Sequence, residues 1–592
     1  FSPALVAQSI GGGGGFSLLT ASGNGTTQLG SINHSGTASS GDVKVTARSI
    51  LYTQGDYSSA LTAQSIGGGG GYTGSALGDA NFGAKQVSGN LSSGNVVTNL
   101  TGNVVTEGKN SSAMVIQSIA GGGGFGAEVI GNATLGMTSS GPGTANAGSI
   151  TFVGSGQAVA TAGKDSPALV MQTIGGGGGW IGNVGGNTTL GATQIGSTNA
   201  GSIEATINYK TIQTQGDNST GILAQAIAGG GGFTGTQTGN IAHMGGTLAN
   251  NSTSIARDVE VTNRATIAPF GTNSAAIIAQ SIGGGGGSSA TSASSAVRMG
   301  SISTAARLGD IPVITTGNVT VTNTSNLSTT KAGSAGLLAQ SIAGGGGYLA
   351  QTGSGKEYKI TFGSSGELSA TAGAVTVNNS SKAITTKGNY SPALVAQSIG
   401  GGGGYALLDA SASGEKRIGA SNNNTGISNS GNVTVENKAI LWTTGEFSAA
   451  LTAQSIGGGG GVISSAAGDL AFGTKNHLGA AQSGNINVTN TNLVQTDGNY
   501  SSAIVVQSIG AGGGYIAGAS GGAASLGALN GLSDTLGTSG NIIVNSIGKS
   551  IKTSGIGSTA LLVQSIGGGG GFLGSAKDGV TFGGTNLKNI SA

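Results

Sequence analysis

The side chains that carry out acid–base or metal chemistry are scarce in this sequence. Its 592 residues include 21 Asp and Glu, three His and no Cys. The histidines His34, His243 and His477 are far apart, and none has a partner at the spacing of a metal site. The carboxylates are scattered, without the clustered pair that polysaccharide hydrolysis requires. We therefore predict that the chain is not an enzyme and that it binds no metal ion or cofactor.

Two patterns of acidic residues bear on this prediction. A calcium-binding glycine-rich repeat needs an Asp soon after its glycines, whereas this chain places an aromatic residue there. Asp56, Asp165 and Asp217 lie near one turn of the repeat, where other copies have Lys, Thr or Asn. We interpret these three carboxylates as solvated turn residues.

One glutamine recurs about every 56 residues and defines a repeat. In the clearest copy, residues 391–399 read Ser-Pro-Ala-Leu-Val-Ala-Gln-Ser-Ile and precede five glycines and Tyr405. Because Ala, Val and Ile share the face of this glutamine, we predict an interior ladder whose amides bond along the stack. The alternative is a glutamine row that contacts a ligand. The eleven glutamines are Gln8, Gln64, Gln117, Gln172, Gln225, Gln280, Gln340, Gln397, Gln454, Gln507 and Gln564.

An aromatic residue stands directly after the glycine run in nine of the eleven copies, and Ser288 and Val462 interrupt the column. With only 24 aromatic residues in the chain, this concentration predicts a stacked, buried column beside the glycines. The alternative is a row of exposed rings that binds sugars or another fibre. The column consists of Phe16, Tyr72, Phe125, Trp180, Phe233, Tyr348, Tyr405, Tyr515 and Phe572.

The glycine runs tolerate a side chain at the front but not at the back. Alanine replaces the first glycine at Ala120, Ala228 and Ala343, and the second at Ala511, whereas the last three positions are always Gly. The back of each run is therefore expected to adopt a positive φ, or to lie against another backbone segment.

The segments between these columns read as short strands. Val, Ile and Thr alternate over four to eight residues between Gly, Asn and Ser, and no helical apolar stripe persists. The strand that contains the glutamine, here called the anchor strand, is apolar on both faces, so both faces should be covered. The cover is either another part of the same repeat or a neighbouring molecule.

These elements predict an all-β fold, a repetitive right-handed β-solenoid. We favour two coils per 56-residue repeat over one wide coil, which gives a length of roughly 105 Å instead of about half that.

The repeats form a single continuous array over residues 1–592, which we interpret as an excerpt of a longer chain. A Ser precedes every glutamine by six residues and opens each block. The blocks span residues 2–16, 58–72, 111–125, 166–180, 219–233, 274–288, 334–348, 391–405, 448–462, 501–515 and 558–572.

Charge and hydropathy exclude several classes of partner. Only 7% of the residues are charged, the net charge is +2, and no basic run indicates nucleic-acid binding. No apolar stretch reaches the length of a transmembrane helix. The surface is expected to consist mainly of Ser, Thr, Asn and Gly.

The Ala-Leu-Val-Ala-Gln-Ser-Ile-Gly-Gly-Gly-Gly-Gly block resembles repeats in the passenger regions of large bacterial autotransporter-like surface proteins. The resemblance covers all eleven repeats. It implies a β-helical passenger, export through the outer membrane, and an extracellular or cell-surface location.

We therefore expect an extracellular structural fibre that self-associates into filaments. The alternative is a surface-displayed adhesin that binds glycans or host surfaces through the aromatic column or through segments that vary between copies, such as residues 409–429.

Overall fold

The computed structural model of the chain consists of strands and their connections, with no helix in the part that it describes. It describes residues 2–17, 25–31, 36–85, 89–137, 143–290, 296–305, 310–351, 359–408, 414–421, 426–473, 479–519, 521–527 and 537–583.

Each repeat forms one coil of a parallel β-solenoid. Every strand pairs in parallel with the equivalent strand of the next repeat, so that Gln397 lies opposite Gln454 and Val433 opposite Ile486. The prediction of a β-solenoid is confirmed.

The prediction of two coils per repeat was wrong. The anchor strand Leu394–Ile399 pairs with the anchor strands of the neighbouring repeats, and not with a strand of its own repeat. The residues that follow the glycine run form sheets beside the anchor strand, because their apolar side chains pack against it across the coil. One repeat therefore advances the stack by a single strand spacing, about 4.8 Å.

The anchor sheet contains eleven strands, one from each repeat. Its strands are Leu5–Gly11, Leu61–Gly67, Met114–Ala120, Leu169–Gly175, Ile222–Ile227, Ile277–Ile282, Leu337–Ile342, Leu394–Ile399, Leu451–Ile456, Ile504–Ile509 and Leu561–Ile566.

The next sheet along the chain, the glycine sheet, begins within the glycine runs and includes the aromatic column. Its strands are Gly14–Ser17, Gly70–Ala76, Gly123–Val129, Gly178–Val184, Gly231–Gln237, Gly286–Ser289, Gly346–Gln351, Gly403–Leu408, Gly460–Ala466, Gly513–Ala519 and Gly570–Leu573.

The outer sheet follows, and each of its short strands ends on an apolar residue before a glycine. Its strands are Thr27–Leu29, Ala80–Phe82, Ala133–Leu135, Thr188–Leu190, Ile241–Met244, Ala296–Met299, Lys359–Phe362, Lys416–Ile418, Leu470–Phe472, Ala524–Leu526 and Val580–Phe582.

A narrow corner sheet then turns the chain back towards the anchor strand of the next coil. Its strands are Ala38–Ser39, Leu91–Ser92, Thr144–Asn146, Ser197–Asn199, Thr253–Ile255, Val313–Thr315, Ser369–Thr371, Ser428–Asn429, Ala481–Gln482 and Gly537–Thr538. A two-stranded sheet, Thr247–Leu248 with Ile302–Ser303, lies between the outer and corner strands in sequence.

The last sheet, the alternating sheet, has the period-two pattern of a strand with one buried face. In Val433–Asn437, the two Val side chains are buried and Glu436 is exposed. The strands are Val43–Arg48, Leu51–Thr53, Val96–Thr101, Val104–Thr106, Ile150–Thr161, Ile203–Thr214, Val259–Asn263, Thr266–Pro269, Val319–Asn323, Leu327–Thr329, Val375–Asn379, Ala383–Thr386, Val433–Asn437, Ile440–Thr443, Ile486–Asn490, Val494–Thr496, Ile542–Ser546 and Ile551–Thr553.

In cross-section, four sheets lie face to face with three apolar cores between them. The alternating sheet packs on the anchor sheet through residues such as Val433 and Leu394. The other face of the anchor sheet packs on the glycine sheet, where Val395 contacts the core that contains Tyr405. The glycine sheet packs on the outer sheet through residues such as Ala406 and Ile418. Both apolar faces of the anchor strand are thus covered within the same chain.

Candidate functional site

The predicted glutamines form a continuous hydrogen-bonded ladder between the anchor and glycine sheets. In each of the ten steps, the side-chain Nε2 of one glutamine donates to Oε1 of the next, at 2.6–2.9 Å. From Gln117 onward, Nε2 also lies 3.2–3.5 Å from the carbonyl oxygen of the last glycine in the same coil's run. The amides are therefore occupied along the stack and across the two sheets, which leaves them unavailable to a ligand.

The glycine runs provide the backbone that accepts these bonds. Gly346 and Gly347 have φ values of 135° and 144°, a region that side chains disfavour. A Cβ atom on Gly346 would lie 1.9 Å from the carbonyl oxygen of Gly403 in the next coil. Both predicted reasons for the invariant glycines, positive φ and close backbone approach, hold at these positions.

The aromatic column is buried between the anchor and glycine sheets. Its first five rings stack with centroids 3.8–5.9 Å apart and planes within 8° of parallel. Trp180 is completely buried, and burial raises the pKa of Tyr72 to about 12. The alternative of an exposed, sugar-binding aromatic column was wrong, because the ring faces contact each other and the two sheets.

Where the column lacks an aromatic ring at Ser288, the glutamine ladder makes an additional contact. Ser288 Oγ donates to Gln280 Oε1 at 3.0 Å and lies 3.2 Å from Gln225 Nε2. A serine can thus replace an aromatic residue in the column, because its hydroxyl bonds to the glutamine ladder beside it.

A second column, which the sequence patterns did not reveal, occupies the tight turn seven residues before each glutamine. Tyr57, Tyr390, Phe447 and Tyr500 adopt φ values of 54–57° there. Such a conformation is rare for bulky residues. The rings of Tyr390, Phe447 and Tyr500 stack at 5.4 and 5.2 Å. In the sequence, the position seven residues before each glutamine always holds Tyr, Phe, Asn, Asp or Gly. These residue types either tolerate a positive φ or can stack.

Asp165 occupies the same turn position in another coil, and its interpretation as a solvated residue was wrong. Its side chain points between the anchor and glycine sheets and is 2% exposed, whereas Asp56, one position earlier in its own turn, is exposed. Burial raises the pKa of Asp165 to about 7, although Lys164 and a 2.9 Å hydrogen bond from Asn218 favour the charged form. Because Asp165 stands one position later in its turn than Asp56 does, its carboxylate points into the interior of the solenoid.

Two further ladders bond successive coils. In every step, the backbone N–H of the serine that opens each block donates to Oγ of its counterpart in the next coil, at 2.7–3.0 Å. Buried asparagines at the ends of alternating strands bond from Nδ2 to Oδ1 at 2.7–2.9 Å. These asparagines are Asn263, Asn323, Asn379, Asn437 and Asn490.

Of the three histidines, His243 is the one that the structure describes. His243 lies on the outer sheet beside Arg298, and burial together with the charge of Arg298 lowers its pKa. His34 and His477 lie outside the described residues. Within the described ranges, no group of three or more His, Asp and Glu side chains could hold a metal ion.

The segments that vary between copies connect the glycine, outer and corner sheets. In the segment 409–429, residues 409–413 and 422–425 lie outside the described residues. The part of the chain that the structure describes contains no helix capable of spanning a membrane.

Comparisons with family models, curated proteins and solved structures found no match.

Proposed function

We propose that this chain is a rigid, non-catalytic structural rod that belongs to an extracellular bacterial surface protein. The observation that carries the proposal is the set of glutamine, serine and asparagine ladders that join coil to coil. Each coil offers the next a complete set of hydrogen-bonding partners, so stiffness extends along the whole stack. The resemblance of the repeated block to autotransporter-like passengers supports export and surface display.

The proposed fibre is one chain thick. The anchor strand, whose two apolar faces suggested lateral association, is covered on both faces by sheets of the same chain. Any lateral contact between rods would therefore use the outward faces of the alternating or outer sheets, which carry mainly polar residues.

Negative-stain electron microscopy of the purified chain tests this function. We expect straight, isolated particles of uniform width that correspond to a single solenoid. Flexible or collapsed particles would contradict the proposal. Regular side-by-side bundles would show that the rods associate laterally and that the fibre is more than one chain thick.

A second candidate function is adhesion through the variable segments. It is favoured by their position, because they interrupt the path between the glycine and corner sheets while the anchor strands keep a length of six or seven residues. Glycan-array binding that survives mutation of the aromatic column but is lost when residues 409–429 are exchanged for another copy's segment would support adhesion.

A further inference from the structure

We propose that a row of basic side chains on the outer sheet binds the oxyanion groups, carboxylate or sulfate, of an acidic saccharide. The row consists of His243, Arg298 and Arg417 and is called the basic row. This binding site goes beyond the proposed structural function, because a rod needs no ligand.

Parallel pairing aligns the basic row with the axis of the solenoid. His243 lies opposite Arg298, Arg298 opposite Thr361, and Thr361 opposite Arg417. With about 4.8 Å between strands, the two arginines are separated by about 10 Å along the axis. A linear ligand lying along the rod can therefore contact both.

The row faces away from the apolar core. In the strand Lys359–Phe362, Ile360 and Phe362 belong to the core shared with the glycine sheet. Thr361, between them, points to the opposite face because side chains alternate along a strand. Arg298 and Arg417 are paired with this position and are half-buried on the same face.

Arg417 presents two hydrogen-bond donors that have no acceptor in the described part of the chain, whereas Nη2 of Arg298 donates to Ser365 Oγ. Nε and Nη2 of Arg417 and Nε of Arg298 are buried without a partner among the described residues. Nε and Nη2 form the side edge of a guanidinium, whose two parallel donors match two oxygens of a carboxylate or sulfate. Because leaving such donors unsatisfied costs free energy, an oxyanion that gains access to this buried edge is favoured there.

The local charge is compensated only in part, because the charge of Glu415 acts on Arg417 while Glu415 is shared with Lys359. The carboxylate nearest in sequence to Arg417 is Glu415, which forms an ion pair of 3.2 Å with Lys359. Burial lowers the pKa of both arginines, as expected where positive charge is poorly solvated. In a chain with only 23 Lys and Arg residues, two arginines aligned along the axis on either side of Thr361 form a distinct electropositive strip.

Isothermal titration calorimetry at low salt tests the proposal with three probes: a sulfated oligosaccharide, its unsulfated counterpart and sodium sulfate. We expect the sulfated saccharide to bind and the unsulfated one not to bind. The double variant R298Q/R417Q should weaken binding by about tenfold or more, since each arginine contributes charge-assisted hydrogen bonds. The matched control R48Q/R264Q, which removes two exposed arginines from the alternating-sheet side of the rod, should leave the affinity within about twofold of the wild type.

Each contrary outcome is decisive. If neither sulfated saccharide nor sulfate binds, or if the control loses as much affinity as R298Q/R417Q, the site is overturned. Sulfate that binds as tightly as the saccharide would support an oxyanion site but assign it to a free inorganic anion.

The variant Arg417→Met separates binding from packing. It keeps the aliphatic stem and removes the unsatisfied donors, so we expect the melting temperature to stay the same or rise while saccharide binding weakens. A lower melting temperature with unchanged binding would show that Arg417 serves only the fold.

Discussion

At the scale of single residues, the glutamine ladder concentrates the polar interactions of the interior. Gln340 bonds to Gln280 on one side and to Gln397 on the other. Replacing it by Leu leaves a donor of Gln280 and an acceptor of Gln397 without partners. We expect Gln340→Leu to lower the free energy of unfolding by about 2–5 kcal/mol, because each buried unsatisfied group costs about 1–3 kcal/mol.

Urea denaturation followed by circular dichroism measures this loss. Gln157→Leu, at an exposed position, is the control and should change the midpoint little. Equal midpoints for Gln340→Leu and wild type would mean that the ladder contributes no net stability.

The front and the back of a glycine run should respond differently to substitution. Gly346→Ala places a Cβ atom against the backbone of the next coil at a positive φ, so we expect loss of several kcal/mol or failure to fold. Ala343→Gly, at the front of the same run, should cost only about 1 kcal/mol. Thermal unfolding of both variants distinguishes the positions, and comparable losses would contradict the geometric explanation.

Asp165 makes stability depend on pH. Its folded pKa is raised from 3.8 to about 7, so the contribution of its protonated form is complete below about pH 4 and is lost as the pH rises through 7. We expect Asp165→Asn to gain stability over the wild type by roughly 1.4 kcal/mol per pH unit across that window, and no further above it.

Asparagine already occupies the equivalent positions Asn110 and Asn218, so this substitution fits the turn. The measurement is the urea midpoint between pH 4 and 8, with Asp56→Asn at an exposed position as control. A difference between Asp165→Asn and wild type that does not vary with pH would contradict an inward-facing carboxylate.

At this scale, the sequence allowed prediction of the ladder and the glycine geometry because both recur in every repeat. The inward orientation of the Asp165 side chain was not predicted, because it depends on whether the residue stands seven or eight positions before the glutamine. The basic row was not predicted either, because strand pairing alone brings His243, Arg298 and Arg417 onto one line.

At the scale of elements, the turn before the anchor strand combines an unfavourable backbone with favourable stacking. Phe447 has a φ of 54° and stacks between Tyr390 and Tyr500. Phe447→Ala and Phe447→Gly both remove the ring, but Gly removes the backbone strain as well. We expect both variants to be destabilised, with Phe447→Gly the more stable of the two by about 1–2 kcal/mol.

Chemical denaturation of the two variants provides the comparison. Gly333 and Gly557 hold the same turn position in other coils, which shows that glycine fits it. An alanine variant as stable as the glycine variant would mean that the turn does not impose a left-handed conformation.

The elements were largely predictable, but their arrangement in the coil was not. Alternating Val and Thr identified strands, and apolar residues on both faces of the anchor strand required two covering layers. The same pattern fits two thin coils or one wide coil, because each gives every strand an equivalent partner. The structure resolves this by placing the glycine and outer sheets beside the anchor sheet, where Val395 and Tyr405 share a core.

At the scale of the whole molecule, the solenoid is a rod whose length grows by one strand spacing per repeat. Four stacked sheets make the rod wide for its length, and in the described part of the chain the facing sheets cover the three cores between them. Stability should therefore come mainly from contacts between consecutive coils, as in other repeat proteins.

The number of coils along the rod decides between one wide coil and two thin coils per repeat. Cryo-electron microscopy side views of the purified chain should show eleven layers about 4.8 Å apart, with a total length of about 50 Å. Twice as many layers, with a length near 105 Å, would contradict the one-coil repeat and the four-sheet cross-section on which the structural function rests.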